Sequence, residues 1–523
     1  MAEIVNEIAR RRGTAAALTD EFGVTTWLEL DERINRLVHA LRDAGIAPGD
    51  TFAVLSGNRR ELLELFLAAG VGGYAMVPIN WHFVVDEVAY VLENSDAVAL
   101  FVDQRFVEVG AAAVATIAAC RLRVVLGAQE RELPPEFVDY EELLAASDPT
   151  EPDDQALGGP MFYTSGTTGR PKGVRSSLLS GGADTPASLL TLVAGSVTGS
   201  FGLPADGTTL LCGPGYHSAQ WAFALLPMLA GSSVVMRHKF DADETLELID
   251  RARVTNVHLV PTQFTRLLRA DPAVREAFRG DTLQTVLHGA APCPPDVKRQ
   301  MIEWWGPKIT EYYGGTEGAI ISLITSEEWL AHPTSVGKLL STVEAIVVGD
   351  DDQPVGVGET GQLYFRNLLG LDFEYHKEPD KTEAAHREPG VFTLGDIGSV
   401  DAEGYLHLSD RKIDMIISGG VNIYPAEIEM TMAAHPAIRD VAVFGVPDDE
   451  FGEQVKAVIE VEDGVEVNDE LRVQLLAYAR EHLAGYKVPR SIDFVDALPR
   501  HPTGKLSKRL LRDPYWEGRG RSI

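Results

Sequence analysis

Cysteine is scarce: Cys120, Cys212 and Cys293 are the only ones in 523 residues, and they lie too far apart to form a CxxC pair. They read as reduced thiols, which argues against a disulfide scaffold, although a pairing made by the fold stays open. Long apolar runs are also missing. The most apolar stretch, Ala111 to Cys120, stops at Arg121 and Arg123, well short of a membrane span. Residues 1–23 carry Arg10-Arg11-Arg12, but only Ala15 to Leu18 stands apolar before Asp20 and Glu21, too little for a secretory segment. A soluble, cytoplasmic protein without a membrane span is expected. Positive charge is in deficit as well, with 46 Lys and Arg against 77 Asp and Glu for a formal net charge of −31. Such a field argues against nucleic acid or an anionic membrane as partner, and any anionic substrate must be held by local cations. No repeat of fixed period and no coiled coil is visible.

What is present is alternation. Phe52–Leu55, Tyr74–Pro78 and Ala97–Val102 read as strands between helical stretches Arg60–Ala69 and Val84–Glu93, and Thr26 precedes a helix with Leu30, Ile34, Leu37, Val38 and Leu41 on one face. The alternation resumes with strands at Thr209–Cys212, Ser233–Met236, Asn256–Val260 and Thr285–His288, which predicts parallel sheets with helices on their faces. Gly70-Val71-Gly72-Gly73-Tyr74-Ala75 fits a dinucleotide fingerprint in letters, but it follows a helix instead of opening one and is rejected. From Ser335 to Phe365 short strands with Gly turns suggest an antiparallel, distorted barrel-like part. A small α+β unit begins near Asp410. The fold class is therefore α/β, with a large N-terminal domain over 1–410 and a small α+β domain over 411–523. Arg500 to Ile523 holds seven basic residues against two acidic ones, either a solvated end or a cationic surface for nucleotide phosphates.

One stretch carries unusual chemistry: Tyr163-Thr164-Ser165-Gly166-Thr167-Thr168-Gly169-Arg170-Pro171-Lys172-Gly173, an apolar run feeding hydroxyls, glycines and two cations. Glycines let backbone N–H groups approach a polyphosphate, hydroxyls donate to it and cations neutralise it. Pro171 stands five residues after Gly166, so the loop is not of the G-x-x-x-x-G-K-[ST] kind.

This stretch resembles the phosphate loop of the AMP-forming adenylating superfamily, which includes acyl-CoA synthetases, adenylation domains of peptide synthetases and luciferases. The chain is most similar to a bacterial acyl-CoA ligase, and further matches run over nearly its whole length. The resemblance implies that Thr164, Ser165, Gly166, Thr167, Thr168 and Lys172 hold ATP phosphates. Glu311 to Gly318 resembles the Y-G-x-T-E motif, implying that Tyr313 stacks on adenine, Thr316 bonds the α-phosphate and Glu317 carries Mg²⁺. His288-Gly289-Ala290-Ala291-Pro292 is similar to the segment lining the adenine pocket through Gly289, Ala290 and Ala291. Thr393 to Gly398 looks like the T-G-D element, with Asp396 on the ribose hydroxyls and Leu394 where Thr is more usual. Ser409 to Ile416 resembles the hinge, about 410–414. There Arg411 contacts the ribose, Ile413 occupies the usual pivot position, and Asp410 or Lys412 is left to serve as pivot. Ser418-Gly419-Gly420 resembles the loop lining the pantetheine tunnel, and Leu498 to Lys505 the motif whose lysine, Lys505, bridges carboxylate and α-phosphate. Gly215-Tyr216-His217-Ser218 is similar to the segment gating the acid, with His217 among the catalytic residues. The acyl group is expected among Tyr216, Trp221, Phe264, His288 and Gly314, a lining that suits a bulky apolar acid.

The implied activity is ligation of a hydrophobic carboxylic acid (fatty, aromatic, steroid or terpenoid) to coenzyme A, using ATP and Mg²⁺ through an acyl-adenylate and by domain alternation. Alternatives are loading of a carrier protein, an enzyme of one half-reaction only, and, in another class, a non-catalytic acid or nucleotide sensor. A homodimer is left as one option.

Overall fold

In the computed structural model, residues 2–128, 132–164, 170–177, 188–349, 351–411, 414–418, 421–448, 451–500 and 506–517 are described. Two largely parallel sheets dominate the larger part. The first runs, in spatial order, Val138–Asp139, Leu122–Leu126, Ala97–Asp103, Thr51–Leu55, Ala75–Ile79 and Gly159–Pro160, every neighbouring pair parallel. The second has nine strands, with Ile309–Gly315, Thr285–His288, Asn256–Leu259, Thr208–Leu211, Ser233–Met236 and Ala16–Thr19 parallel at its centre and antiparallel strands at both ends. The strand and helix alternation read in the sequence is thus realised, because strands buried on both faces need crossover helices.

The helices Trp27–Asp43, Arg60–Gly72 and Ser218–Leu229 pack in one core with side chains of both sheets. The first starts where the capping chemistry says it must: the Thr26 hydroxyl accepts from Glu29 N–H, and the Glu29 carboxylate accepts from Thr26 N–H at 2.8 Å. Its Leu30, Ile34, Leu37, Val38 and Leu41 are fully buried, each such burial contributing about 1.5–3 kcal/mol. Helix Arg60–Gly72 is buried all round, so its two carboxylates are paired, Glu64 with Arg33 at 2.8 Å and Glu61 with the preceding Arg59 at 2.7 Å. The rejected Gly70-Val71-Gly72-Gly73 stretch is the end of this helix, and Gly73 closes it with φ 76°.

Antiparallel strands follow. Val343–Val348, Gly361–Asn367, Asp396–Val400 and Leu406–Arg411 belong to a six-stranded sheet, and Phe162–Thr164, Lys172–Ser176 and Phe373–Tyr375 form a second, three-stranded one. Beyond them Ile416–Ser418, Val421–Ile423, Ile438–Asp448, Gly452–Val461 and Ser491–Val495 make a small sheet with helices Pro425–Ala433, Asp469–His482 and Lys508–Trp516. The basic end is not simply solvated. Arg500 pairs with Asp440 at 2.6 Å and Lys508 with Glu429 at 2.9 Å, so part of its charge serves to dock this segment. No helix among the described residues is long and apolar enough to cross a membrane.

Candidate active site

The carboxyl ends of the central strands and the turns of the antiparallel sheets supply the described site residues. Thr164 ends one strand and Lys172 opens the next, and the two are register partners. The Thr164 hydroxyl is buried with no hydrogen-bond partner among the described residues, a donor awaiting an acceptor. Ser165, Gly166, Thr167 and Thr168 lie outside the described residues. Helix Val85–Asn94 grips both ends of the loop: Tyr163 OH donates to Asn94 Oδ1 at 2.7 Å, and Tyr90 OH donates to the Pro171 carbonyl at 3.2 Å.

Strand Ile309–Gly315 brings Tyr313 and Gly314 to its end, and Thr316 and Glu317 form the turn before Ala319–Ile324. Each is held by a different element. Tyr313 OH donates to Asp396 Oδ2 at 2.5 Å, the Thr316 and Ser218 hydroxyls share a bond of 2.9 Å, and Tyr375 OH donates to Glu317 Oε1 at 3.0 Å. Lys172 Nζ stands 3.4 Å from the centroid of the same Tyr375 ring. Asp396 is 8% exposed and lies opposite Arg411 in the strand pair. The sequence thus placed Lys172, Tyr313, Thr316, Glu317 and Asp396 in one neighbourhood, and tertiary bonds join them there. Ser218 and Tyr375 were missed. Ser218 had a signal, as the residue after His217, but Tyr375 lies 58 residues from the carboxylate it bonds and had none.

After strand Thr285–His288 the chain turns through Gly289 and Ala290. Ala290 has φ 66°, a left-handed conformation that costs a non-glycine residue of order 1 kcal/mol and gathers at functional sites. A Cβ on Gly289 would stand 2.8 Å from both the Tyr312 ring and its carbonyl oxygen. Gly289→Ala is therefore expected to cost about 1–3 kcal/mol in chemical unfolding. An unchanged midpoint would mean that strand Ile309–Gly315 yields freely.

His217 is the N-cap residue of helix Ser218–Leu229, its ring centroid 4.4 Å from that of the buried Tyr216. Burial pushes the Tyr216 phenol well above its ordinary pKa. Trp221 packs on Phe66 and Phe162, and its Nε1–H is buried without an acceptor among the described residues. Two residues of the expected acyl lining, Phe264 and His288, are turned away from Trp221. Strand alternation turns Val257, Val286 and His288 toward helices Pro261–Leu268 and Pro295–Trp305, where His288 meets the fully buried Phe264 at 5.2 Å between ring centroids. On the opposite face, toward helix Ser218–Leu229, a buried relay runs from Gln220 Nε2 to His258 Nδ1 at 2.7 Å and from His258 Nε2 to Tyr312 OH at 2.9 Å. Burial lowers the His258 pKa to about 3, so this ring is neutral. Phe264 and His288 are core residues, separated from Trp221 by the sheet.

Ser418 ends its strand opposite Val421 and Gly452. Asp410 and Arg411 end strand Leu406–Arg411, whereas Lys412, Ile413, Gly419, Gly420 and Lys505 lie outside the described residues.

Comparison with known proteins agrees with this geometry. The AMP-binding enzyme family matches residues 5–369, and the AMP-binding enzyme C-terminal domain matches residues 427–505. A feruloyl-CoA synthase of Amycolatopsis sp is 35% identical over 511 residues, covering 96% of each chain. The long-chain-fatty-acid–CoA ligase FadD13 of Mycobacterium tuberculosis is 32% identical over 506 residues, covering 94% of this chain and 93% of that one. Among solved structures, ATP-bound MatB from Rhodopseudomonas palustris superposes with a TM-score of 0.84 at 27% identity, over 98% of this chain and 99% of that one. With both family regions matched, the chain belongs to the AMP-binding enzyme family and is an AMP-forming adenylating enzyme of the acid–thiol ligase type.

Proposed function

We propose that the enzyme activates a hydrophobic carboxylic acid as its acyl-adenylate, releasing pyrophosphate, and then transfers the acyl group to the thiol of coenzyme A. The observation that carries this reading is the convergence of Lys172, Thr316, Glu317 and Asp396, a cation, a hydroxyl and two carboxylates tied by Tyr375, Ser218 and Tyr313. Attack of a carboxylate on the α-phosphate joins two anions, so fixed donors and cations must meet the charge that develops. Lys172 and the Thr316 hydroxyl supply these on the phosphate side, and Asp396 accepts from the ribose hydroxyls. Lys505 serves the first half-reaction only. A swing of the domain 411–523 about 410–414 then withdraws it and admits the thiol past Ser418, Gly419 and Gly420, because one site does not hold both at once.

The half-buried carboxylate of Glu317 fits Mg²⁺, which takes hard oxygen ligands. Among the described residues no cluster of three or more His, Cys, Asp or Glu forms a protein-only cage. A single carboxylate beside substrate phosphates matches how Mg²⁺ is usually held. When bound there, the ion neutralises phosphate charge.

The named relatives include ligases of an aromatic and of a long-chain fatty acid, which supports a hydrophobic acid as substrate class. The test measures pyrophosphate release and acyl-CoA formation together over fatty, aromatic, steroid and terpenoid acids with MgATP, with and without CoA. Both products from one acid class are expected. Pyrophosphate without thioester would transfer the reading to a carrier-protein acceptor. Silence in both would leave a one-step enzyme or a sensor.

A further inference from the structure

Tyr375 belongs to none of the segments that carried the sequence reading, yet its side chain touches two groups on which the proposed reaction depends. It ends strand Phe373–Tyr375 opposite Val174 of the strand that Lys172 opens. One face of its ring carries Lys172 Nζ at 3.4 Å from the centroid, and its hydroxyl donates to Glu317 Oε1 at 3.0 Å. The residue itself is fixed from several sides. Its backbone N–H donates to Thr382 Oγ1 at 2.9 Å, the next N–H donates to the Gly173 carbonyl at 2.8 Å, and its ring meets Phe373 edge-on at 5.2 Å. With 7% exposure, Tyr375 is packed in place beside the strand that leaves the phosphate loop.

The chemistry explains why a tyrosine suits this place. An ammonium and a carboxylate near one another in a partly buried site attract strongly. Were Lys172 and Glu317 to close on each other, a triphosphate would lose its cation and the magnesium ion its carboxylate. A phenol gives each group a milder contact: the ring face attracts the cation, and the hydroxyl donates to the carboxylate. Both contacts are weaker than those to phosphate oxygens and a divalent cation, so they yield when MgATP enters. We infer that Tyr375 is a positioning residue that keeps Lys172 and Glu317 from neutralising one another and presents both to MgATP. This inference rests on the adenylation reading of the site.

Tyr375→Phe keeps the ring under Lys172 and removes the hydroxyl that donates to Glu317. The experiment compares the wild type, Tyr375→Phe, Glu317→Gln and the double variant. It reads MgATP affinity by calorimetry, half-saturating Mg²⁺ for pyrophosphate release, the KM for the acid and the unfolding midpoint. Tyr375→Phe frees Glu317 to pair with Lys172, and since MgATP must then break that pair, its binding is expected to weaken and the Mg²⁺ requirement to rise roughly tenfold. The acid KM and the unfolding midpoint stay at wild-type values. In the Glu317→Gln background the same change should alter MgATP affinity by less than about twofold, because no carboxylate remains to capture Lys172.

A Tyr375→Phe affinity equal to wild type would overturn the inference. So would an equal loss in both backgrounds, which is what a packing role predicts. A wild type that binds MgATP but turns over no acid would remove the ligase reading alone, since the binding cycle still reports on Tyr375. A wild type that fails to bind MgATP would overturn both.

Discussion

Lys298→Met is expected to destabilise the larger part of the chain by about 3–5 kcal/mol, as breaking one side of a buried ion pair does. Lys298 is fully buried in helix Pro295–Trp305, its Nζ 2.5 Å from Glu311 Oε2 and 4.6 Å from the Trp329 ring centroid. Glu311 lies on the strand that carries Tyr313, and among the described residues it also faces His288 Nε2 at 3.7 Å and the Cys293 thiol. Burial lowers the Lys298 pKa and raises that of Glu311, so each charged form depends on the other. Without the ammonium the carboxylate stands buried beside a histidine that burial holds neutral. It then takes up a proton, which gives the variant a pH signature. A carboxyl whose folded pKa lies above its unfolded value binds more protons folded than unfolded, so stability falls as pH rises, by up to about 1.4 kcal/mol per pH unit. The deficit should therefore be larger at pH 8 than at pH 5.5 in guanidinium unfolding of the whole chain, and Lys298→Met with Glu311→Leu should recover most of it. A loss below about 1 kcal/mol in the single variant, or no pH dependence, would contradict the pair's role.

Such a pair shows where sequence reading ends. Helix Trp27–Asp43 was legible because Thr26 and a 3.6-residue apolar period agree on where it starts and which face it buries. The burial of Glu64 and Lys298 leaves no local mark in the sequence, since the partners that compensate it, Arg33 and Glu311, stand 31 and 13 residues away. The hairpin partner Lys172–Ser176 was hidden for a related reason: Lys172-Gly173-Val174-Arg175-Ser176 alternates weakly and becomes a strand by pairing with Phe373–Tyr375. The helix Lys508–Trp516 carries Pro514 and several cations, and it holds through tertiary contacts, among them Trp516 Nε1–H to the Gly445 carbonyl at 3.1 Å. At the site, motif residues were legible as types, while the bonds holding them run through Ser218, which was read only as a neighbour of His217, and through Asn94 and Tyr375, which none of the quoted segments contains. Phe264 and His288 were misplaced because aromatic character says nothing of which sheet face a residue takes, and strand alternation settles that.

Lys505→Ala carries the largest catalytic effect expected of a single change, and its value is that it separates the two half-reactions. If Lys505 bridges the attacking carboxylate and the α-phosphate, its ammonium is needed only while two anions are being joined. Loss of one such charge-stabilising group slows the step by about 10²–10³-fold. Acid-dependent pyrophosphate release should fall by that factor. Thioester formation from supplied acyl-adenylate and CoA should change far less, because that step neutralises no new pair of anions and needs the lysine withdrawn. Lys505→Arg should restore little, since a planar guanidinium does not replace a compact ammonium in a bridge of this kind. Pyrophosphate release and thioester formation, measured separately on the same variant, decide the matter. An equal loss in both would place Lys505 in the stability of the domain 411–523 and remove the reason for that domain to swing.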